Sequence, residues 1–201
     1  MIIRNLEVAN FRKFRDPLRI EGFTDGLNIV VEPNETGKST LLEALRAAFF
    51  VRYSAKTELV RSYVPIGDDV APRVSVGFHI GGDAWTLEKQ FMKSASVRLA
   101  GANGRKESDA AEEALQELLG FERGNNRGTD PETRGPLGLL WVEQATALAV
   151  ENPNRIVRDT VRGVLEAEVG AVTGGRRFDA IRSSVETAYS ALRTPSTGKS
   201  R

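Results

Sequence analysis

The sequence predicts an α/β fold, and three observations carry that prediction. A nearly continuous apolar run, Leu27-Asn28-Ile29-Val30-Val31, leads through the segment EPNETG into a stretch with helical spacing that begins at Lys38. Short runs of alternating apolar and polar residues lie on both sides of this unit. The chain has 201 residues, 40% hydrophobic and 27% charged, which is enough for one domain with a core of its own.

The elements follow in order. Leu6 and Val8 flank Glu7, and Leu18 and Ile20 flank Arg19, so two short strands open the chain. The run Leu27–Val31 lacks polar alternation and predicts a strand buried on both faces. From Lys38 to Tyr53, Leu41, Leu45 and Ala48 share one side with Leu42 and Phe49 beside them, which is the pattern of an amphipathic helix. Val74, Val76, Phe78 and Ile80 alternate with polar or small residues. Gly81-Gly82-Asp83 then turns the chain into Trp85, Leu87 and Lys89, a hairpin. The lone histidine, His79, sits in this alternation as a solvent-facing residue.

Asp109 followed by Glu112 has the spacing of an N-cap and its N3 partner, and Gly120 supplies a stop for the helix between them. The stretch from Arg123 to Pro136 is rich in Gly, Asn, Thr and Pro and predicts a mobile loop. Gly138-Leu139-Leu140-Trp141-Val142 returns to the core, and Ile156 to Val169 predicts a further helix. Phe178, Ile181, Val185, Ala188 and Leu192 are spaced 3, 4, 3, 4, the seam of a coiled coil over two heptads. Packing of that helix on the globular part accounts for the same spacing.

Charge and cysteine content narrow the classes. The formal net charge is +1, so the total demands neither nucleic acid nor membrane. From Asn152 onward nine Lys/Arg face five acids, a mild basic bias that a polyanion partner or a solvated helix face would each explain. There is no cysteine, hence no disulfide framework or thiolate metal site. The opening MIIRNLEVANFRKF has no run long enough for a signal or membrane segment, and the expected compartment is the cytoplasm.

The segment EPNETGKST has the chemistry of a phosphate-binding loop. A strand, a turn and a helix start place free backbone N–H groups at the positive end of the helix dipole. Gly37 lets the main chain approach phosphate oxygens, Lys38 brings a point charge to the outer phosphates, and Ser39 or Thr40 offers a hydroxyl to magnesium. One departure stands out. The motif opens on glycine, and here that position is Glu32. The expectation is that its carboxylate points outward, away from the phosphates. A second GKS at Gly198–Ser200 has neither strand nor helix around it and is a chance match.

The loop PNETGKSTLLEAL, the opening NFRKF and the later GLLWVEQ together resemble the N-terminal ATPase lobe of the SMC-like family, which includes SbcC, its Rad-fifty relatives, RecF and YhaN-type proteins. Order and spacing match across nearly the whole chain. The resemblance implies an ABC/SMC-type P-loop NTPase head lobe with mixed or antiparallel strands. Residues 1–170 would form the lobe, and residues 171–201 the beginning of a coiled coil or linker. It implies ATP and Mg2+ as cofactors. Arg12 and Lys13 would lie beside the phosphates and sugar, and Asn34, Glu35, Thr36, Gly37, Lys38, Ser39 and Thr40 would wrap the phosphates. Lys38 and Gln144 would serve catalysis, and Ser39 and Gln144 would reach the metal. Gln144, in WVEQ, resembles the Q-loop glutamine, whose neutral amide oxygen suits a ligand that must let go.

The family completes its site with a Ser-Gly-Gly signature and an apolar run ending in Asp-Glu, both after the coiled coil. No Asp-Glu dipeptide occurs in this chain, and Thr173-Gly174-Gly175 lies before the seam. The expectation is therefore the N-terminal half of a split head. Its partners would be the C-terminal half of the same head, a second copy through ATP-bound heads, DNA, and a nuclease. Isolated, it would not hydrolyse ATP. A GTPase is excluded, because neither Asp-x-x-Gly nor Asn-Lys-x-Asp occurs. Two alternatives remain: a nucleotide-holding assembly module without hydrolysis, and a small-molecule P-loop kinase.

Overall fold

The computed structural model describes residues 1–102 and 104–120, together with helical residues 162–163, 184–185, 187 and 189. The chain divides into two compact units, Met1–Trp141 and Val142–Arg201, and the account below concerns the first. It has six strands and three helices among the described residues. The strands are β1 (Ile2–Ala9), β2 (Leu18–Glu21), β3 (Arg73–Ile80), β4 (Asp83–Gln90), β5 (Ser96–Gly101) and β6 (Gly104–Glu107), and the helices are α1 (Lys38–Phe50), α2 (Glu58–Arg61) and α3 (Ser108–Leu119).

The strands form one sheet in the order β2-β1-β3-β4-β5-β6, antiparallel throughout. Side chains alternate across it, as the pleat requires. On one face Leu6, Val8, Val74, Val76, Phe78, Leu87, Val97 and Leu99 are buried under α1 and α3. The other face carries a polar row, Arg19–Glu7–Ser75–Glu88–Arg98–Glu107, with partners directly opposite each other across all six strands. Arg98 sits between Glu88 (2.9 Å) and Glu107 (3.4 Å). Bonds from Arg105 and Arg98 hold the Glu107 carboxyl below its ordinary pKa. His79 lies half-buried on this face, less exposed than its alternation predicts.

The fully buried residues of helix α1 lie in its C-terminal half, with Leu41 and Leu45 partly buried against the same core. Ala44, Ala47, Ala48, Phe49 and Phe50 are buried, and Phe49 meets Phe78 of β3 edge-on, centroids 5.5 Å apart. The last carbonyls of a helix carry partial negative charge. The last turn of α1 carries no basic residue, but Lys89 of β4 donates to the Val51 carbonyl at 2.8 Å. The same ammonium lies 3.0 Å from Glu112 of α3, and both side chains are almost fully buried. Glu112 also accepts from the Tyr53 backbone N–H at 3.0 Å, and Arg52 pairs with Asp109 at 2.6 Å. One buried ion pair thus ties the end of α1, strand β4 and α3 together.

Several sequence expectations are corrected here. Asp109 and Glu112 do not form a capping box: the N-cap is Glu107 without a side-chain bond, and Glu112 turns inward to Lys89. Gly120 does end the helix, in the left-handed region at φ 67. The larger correction concerns Leu27–Val31. Among the described residues no strand pairs with it, and Leu27, Ile29 and Val31 are 85%, 72% and 81% exposed. Strands β5 and β6 and the short α2 were not anticipated. The stretches 123–136 and 138–142, residue Gln144, and most of 156–169 and of the 178–192 seam lie outside the described residues; within 156–169, Arg162 and Gly163 are described and helical. Of that seam Val185 is described, helical and 61% exposed.

Removing one partner of a buried ion pair leaves a buried charge, which costs about 3–5 kcal/mol, whereas replacing both by apolar groups is often near neutral. Lys89→Met and Glu112→Leu are each expected to lower stability by about 3 kcal/mol, and the double variant should recover more than half of the summed loss. Chemical denaturation of the four proteins checks this.

Candidate nucleotide-binding loop

The candidate site begins where α1 begins. Gly37 is the N-cap residue, at φ 115 and ψ 17, with no side-chain cap and no acid in the first turn. The first N–H groups of a 13-residue helix are thus left without a side-chain acceptor, and the dipole's positive end faces outward. Upstream, Glu35 also takes a left-handed conformation at φ 66, so the loop bends twice around Thr36.

The loop's carbonyls are engaged by its own lysine. The Lys38 ammonium donates to the carbonyls of Glu32 at 2.6 Å and Pro33 at 2.7 Å. The Thr36 hydroxyl donates to the Pro33 carbonyl at 2.9 Å. Glu32 thus contributes its backbone, while its side chain is exposed and its φ is not in the left-handed region. A glycine is therefore not demanded at this position by backbone geometry.

A second segment closes against the loop. The turn Phe11–Phe14 bonds in both directions, Phe11 N–H to Phe14 O at 2.8 Å and Phe14 N–H to Phe11 O at 3.0 Å, with Arg12 at φ 51 inside it. Its root is the buried Phe11 ring, stacked on Tyr63 at 4.5 Å, while the Arg12 N–H donates to the Tyr63 carbonyl at 2.6 Å. Lys13 donates to the Glu35 carbonyl. Arg12 pairs with Glu43 of α1 at 2.5 Å and reaches the Ser62 hydroxyl at 3.4 Å.

The structure therefore brings Lys13 against the Asn34–Thr40 loop, while Arg12 turns to Glu43 of α1 and to Ser62. It does not describe Gln144. Phe14, Glu43, Ser62 and Tyr63 belong to the same neighbourhood and were not singled out from sequence. Glu43 sits one and a half turns into a helix that periodicity alone assigns, and nothing local marks its partner.

An uncapped helix start behind a glycine-bent loop is the arrangement that a phosphate-binding loop of the P-loop NTPase class uses. A family model described as an AAA domain (AAA_23) matches residues 5–130, and the chain belongs to that family. A curated relative, the DNA double-strand break repair Rad50 ATPase of Archaeoglobus fulgidus, is 31% identical over 93 residues. That match covers 45% of this chain, but the chain spans only 10% of the relative. A solved structure described as the structural biochemistry of ATP-driven dimerization and DNA-stimulated activation of SMC ATPases aligns at TM-score 0.51 and 15% identity. The alignment covers 80% of this chain and 99% of that one, and gives the fold as that of an SMC-type lobe. The SMC head domain from Thermotoga maritima aligns at TM-score 0.41 and 18% identity, over 61% of this chain and 43% of that one.

Because the Glu32 side chain is exposed and its carbonyl does the bonding, Glu32→Gly is expected to change ATP affinity by less than about threefold, well under 1.4 kcal/mol. Calorimetric titration of both proteins with ATP checks this, and a large tightening would mean that the native carboxylate repels phosphate.

Proposed function

We propose that this chain is the N-terminal, ATP-binding lobe of an SMC-like ATPase that acts on DNA in repair or chromosome maintenance. The observation that carries the reading is the geometry at Gly37. A helix start without cap or acid faces outward, and Lys38 lies folded back onto two loop carbonyls. A triphosphate entering there would take the α1 N–H groups and exchange the Lys38 carbonyl bonds for charge-assisted bonds to its outer oxygens, which are stronger. Arg12 and Lys13 would add charge from the facing turn. Ser39, with Gln144, would reach a magnesium ion held mainly by the phosphates themselves.

Hydrolysis needs more than this: a positioned water, a base, and groups that stabilise charge on the phosphoryl in flight. In this reading the C-terminal half of the same head supplies the acidic base and the signature segment. ATP would then join two completed heads as a homodimer. The exposed run Leu27–Val31 supports the requirement for a second half, since apolar residues at such exposure are ordinarily covered. In the same reading, residues 1–170 form the lobe, 171–201 begin a coiled coil, DNA and a nuclease are partners, and the setting is the cytoplasm. The kinship with a double-strand break repair ATPase supports the DNA assignment.

Residues 1–201 alone should release phosphate from ATP at a negligible rate. Adding the C-terminal half of the head should restore turnover, and Lys38→Ala should abolish it and weaken ATP binding by about tenfold or more. Turnover by the isolated chain equal to that of the reconstituted head would overturn the split-head reading and move the base to a residue such as Glu35 or Glu143. Tight ATP binding with no turnover in any combination would favour an assembly module.

A further inference from the structure

We propose that Phe14 is a positioning residue for the phosphate loop, a reading that rests on the nucleotide assignment above. A Cβ placed on Gly37 would lie 2.5 Å from Cζ of Phe14 and 2.8 Å from Cδ of Lys13. The Phe14 ring thus occupies the space that any other residue at position 37 would need for its side chain. The absence of a side chain at Gly37 serves two purposes: it admits a positive φ, and it admits this ring.

Glycine carries a cost that the ring offsets. A free glycine samples both signs of φ, so a loop hinged on one is poorly ordered and must be fixed when phosphate binds. Here the hinge is held from one side. Phe14 stands on a turn closed by two backbone bonds, and the turn is rooted by Phe11 stacked on Tyr63, which meets Phe91 edge-on at 5.7 Å. The ring is half-buried against the core, so it is braced from behind. Alongside it, Lys13 holds the Glu35 carbonyl, two residues upstream of the hinge. Rigidity in the core is passed through Phe14 to the residue from which the α1 N–H groups are aimed.

Preorganisation raises affinity by lowering the ordering cost of binding. In the full-length protein, Phe14→Leu keeps an apolar side chain but removes Cζ and the ring edge. It should raise the dissociation constant for Mg-ATP, and KM for ATP, by about fivefold, with kcat within about twofold. The control is Leu99→Val, a core shortening on β5 that should lower the melting temperature while leaving ATP affinity unchanged. Phe14→Met, flexible where phenylalanine is rigid, answers the same question should the leucine variant fail to fold. Unchanged ATP affinity in the Phe14 variants would overturn the proposal. So would an equal loss in Leu99→Val, since affinity would then follow general stability. Wild-type protein that binds no ATP would remove the nucleotide assignment itself, and the proposal with it. Wild-type binding with unaffected variants would remove only the role of Phe14.

Discussion

The contact between Phe49 of α1 and Phe78 of β3 is the constraint on which the rest of the site depends. The fully buried residues of α1 lie in its second half, so the helix is held most firmly at its C-terminal end. A helix is stiff over such a length, and what is fixed at one end is aimed at the other. The Lys89–Glu112 pair completes the anchor. It neutralises the negative end of α1 and joins it to α3.

Two struts reach the N-terminal end of α1 from the sheet. The Arg12–Glu43 pair binds the Phe11–Phe14 turn to the side of α1, and Phe14 and Lys13 bear on the loop itself. The exposed ion pair adds little stability alone, yet it sets where a guanidinium points. Between these struts the loop satisfies its carbonyls internally through Lys38 and Thr36. Ligand binding at such a loop is an exchange of partners, which keeps the lysine ordered without locking it.

Much of this was legible because it is local. The 3.6-residue spacing from Lys38, the alternation in Val74–Ile80 and the glycine pair at 81–82 each specify an element within a few residues. The same local patterns misled where the partner is distant. Leu27–Val31 carries the composition of a buried strand, but composition states what a segment would bury, not what is present to bury it. Glu112 has the spacing of a capping box, but a lysine on β4, reached only through the fold, outcompetes the helix start for it. Val97 and Leu99 did alternate. The short β5 and the charged β6, Gly104–Glu107, gave too few residues for a pattern, although charge suits β6 as an edge strand. In the site, the loop motif was readable, whereas Phe14 and Glu43 were not, because their roles arise from residues 23 positions later and 31 positions earlier respectively.

If the head is split as proposed, the apolar run leading into the phosphate loop pairs with a strand from its other half. Amide hydrogen exchange at Leu27–Val31 tests it most directly, because unpaired N–H groups exchange freely and laddered ones do not. The account predicts little protection there in residues 1–201 alone, and strong protection once the C-terminal half of the head is added, with β1 and β3 protected in both. Strong protection of Leu27–Val31 in the isolated chain, or none in the reconstituted head, would contradict it.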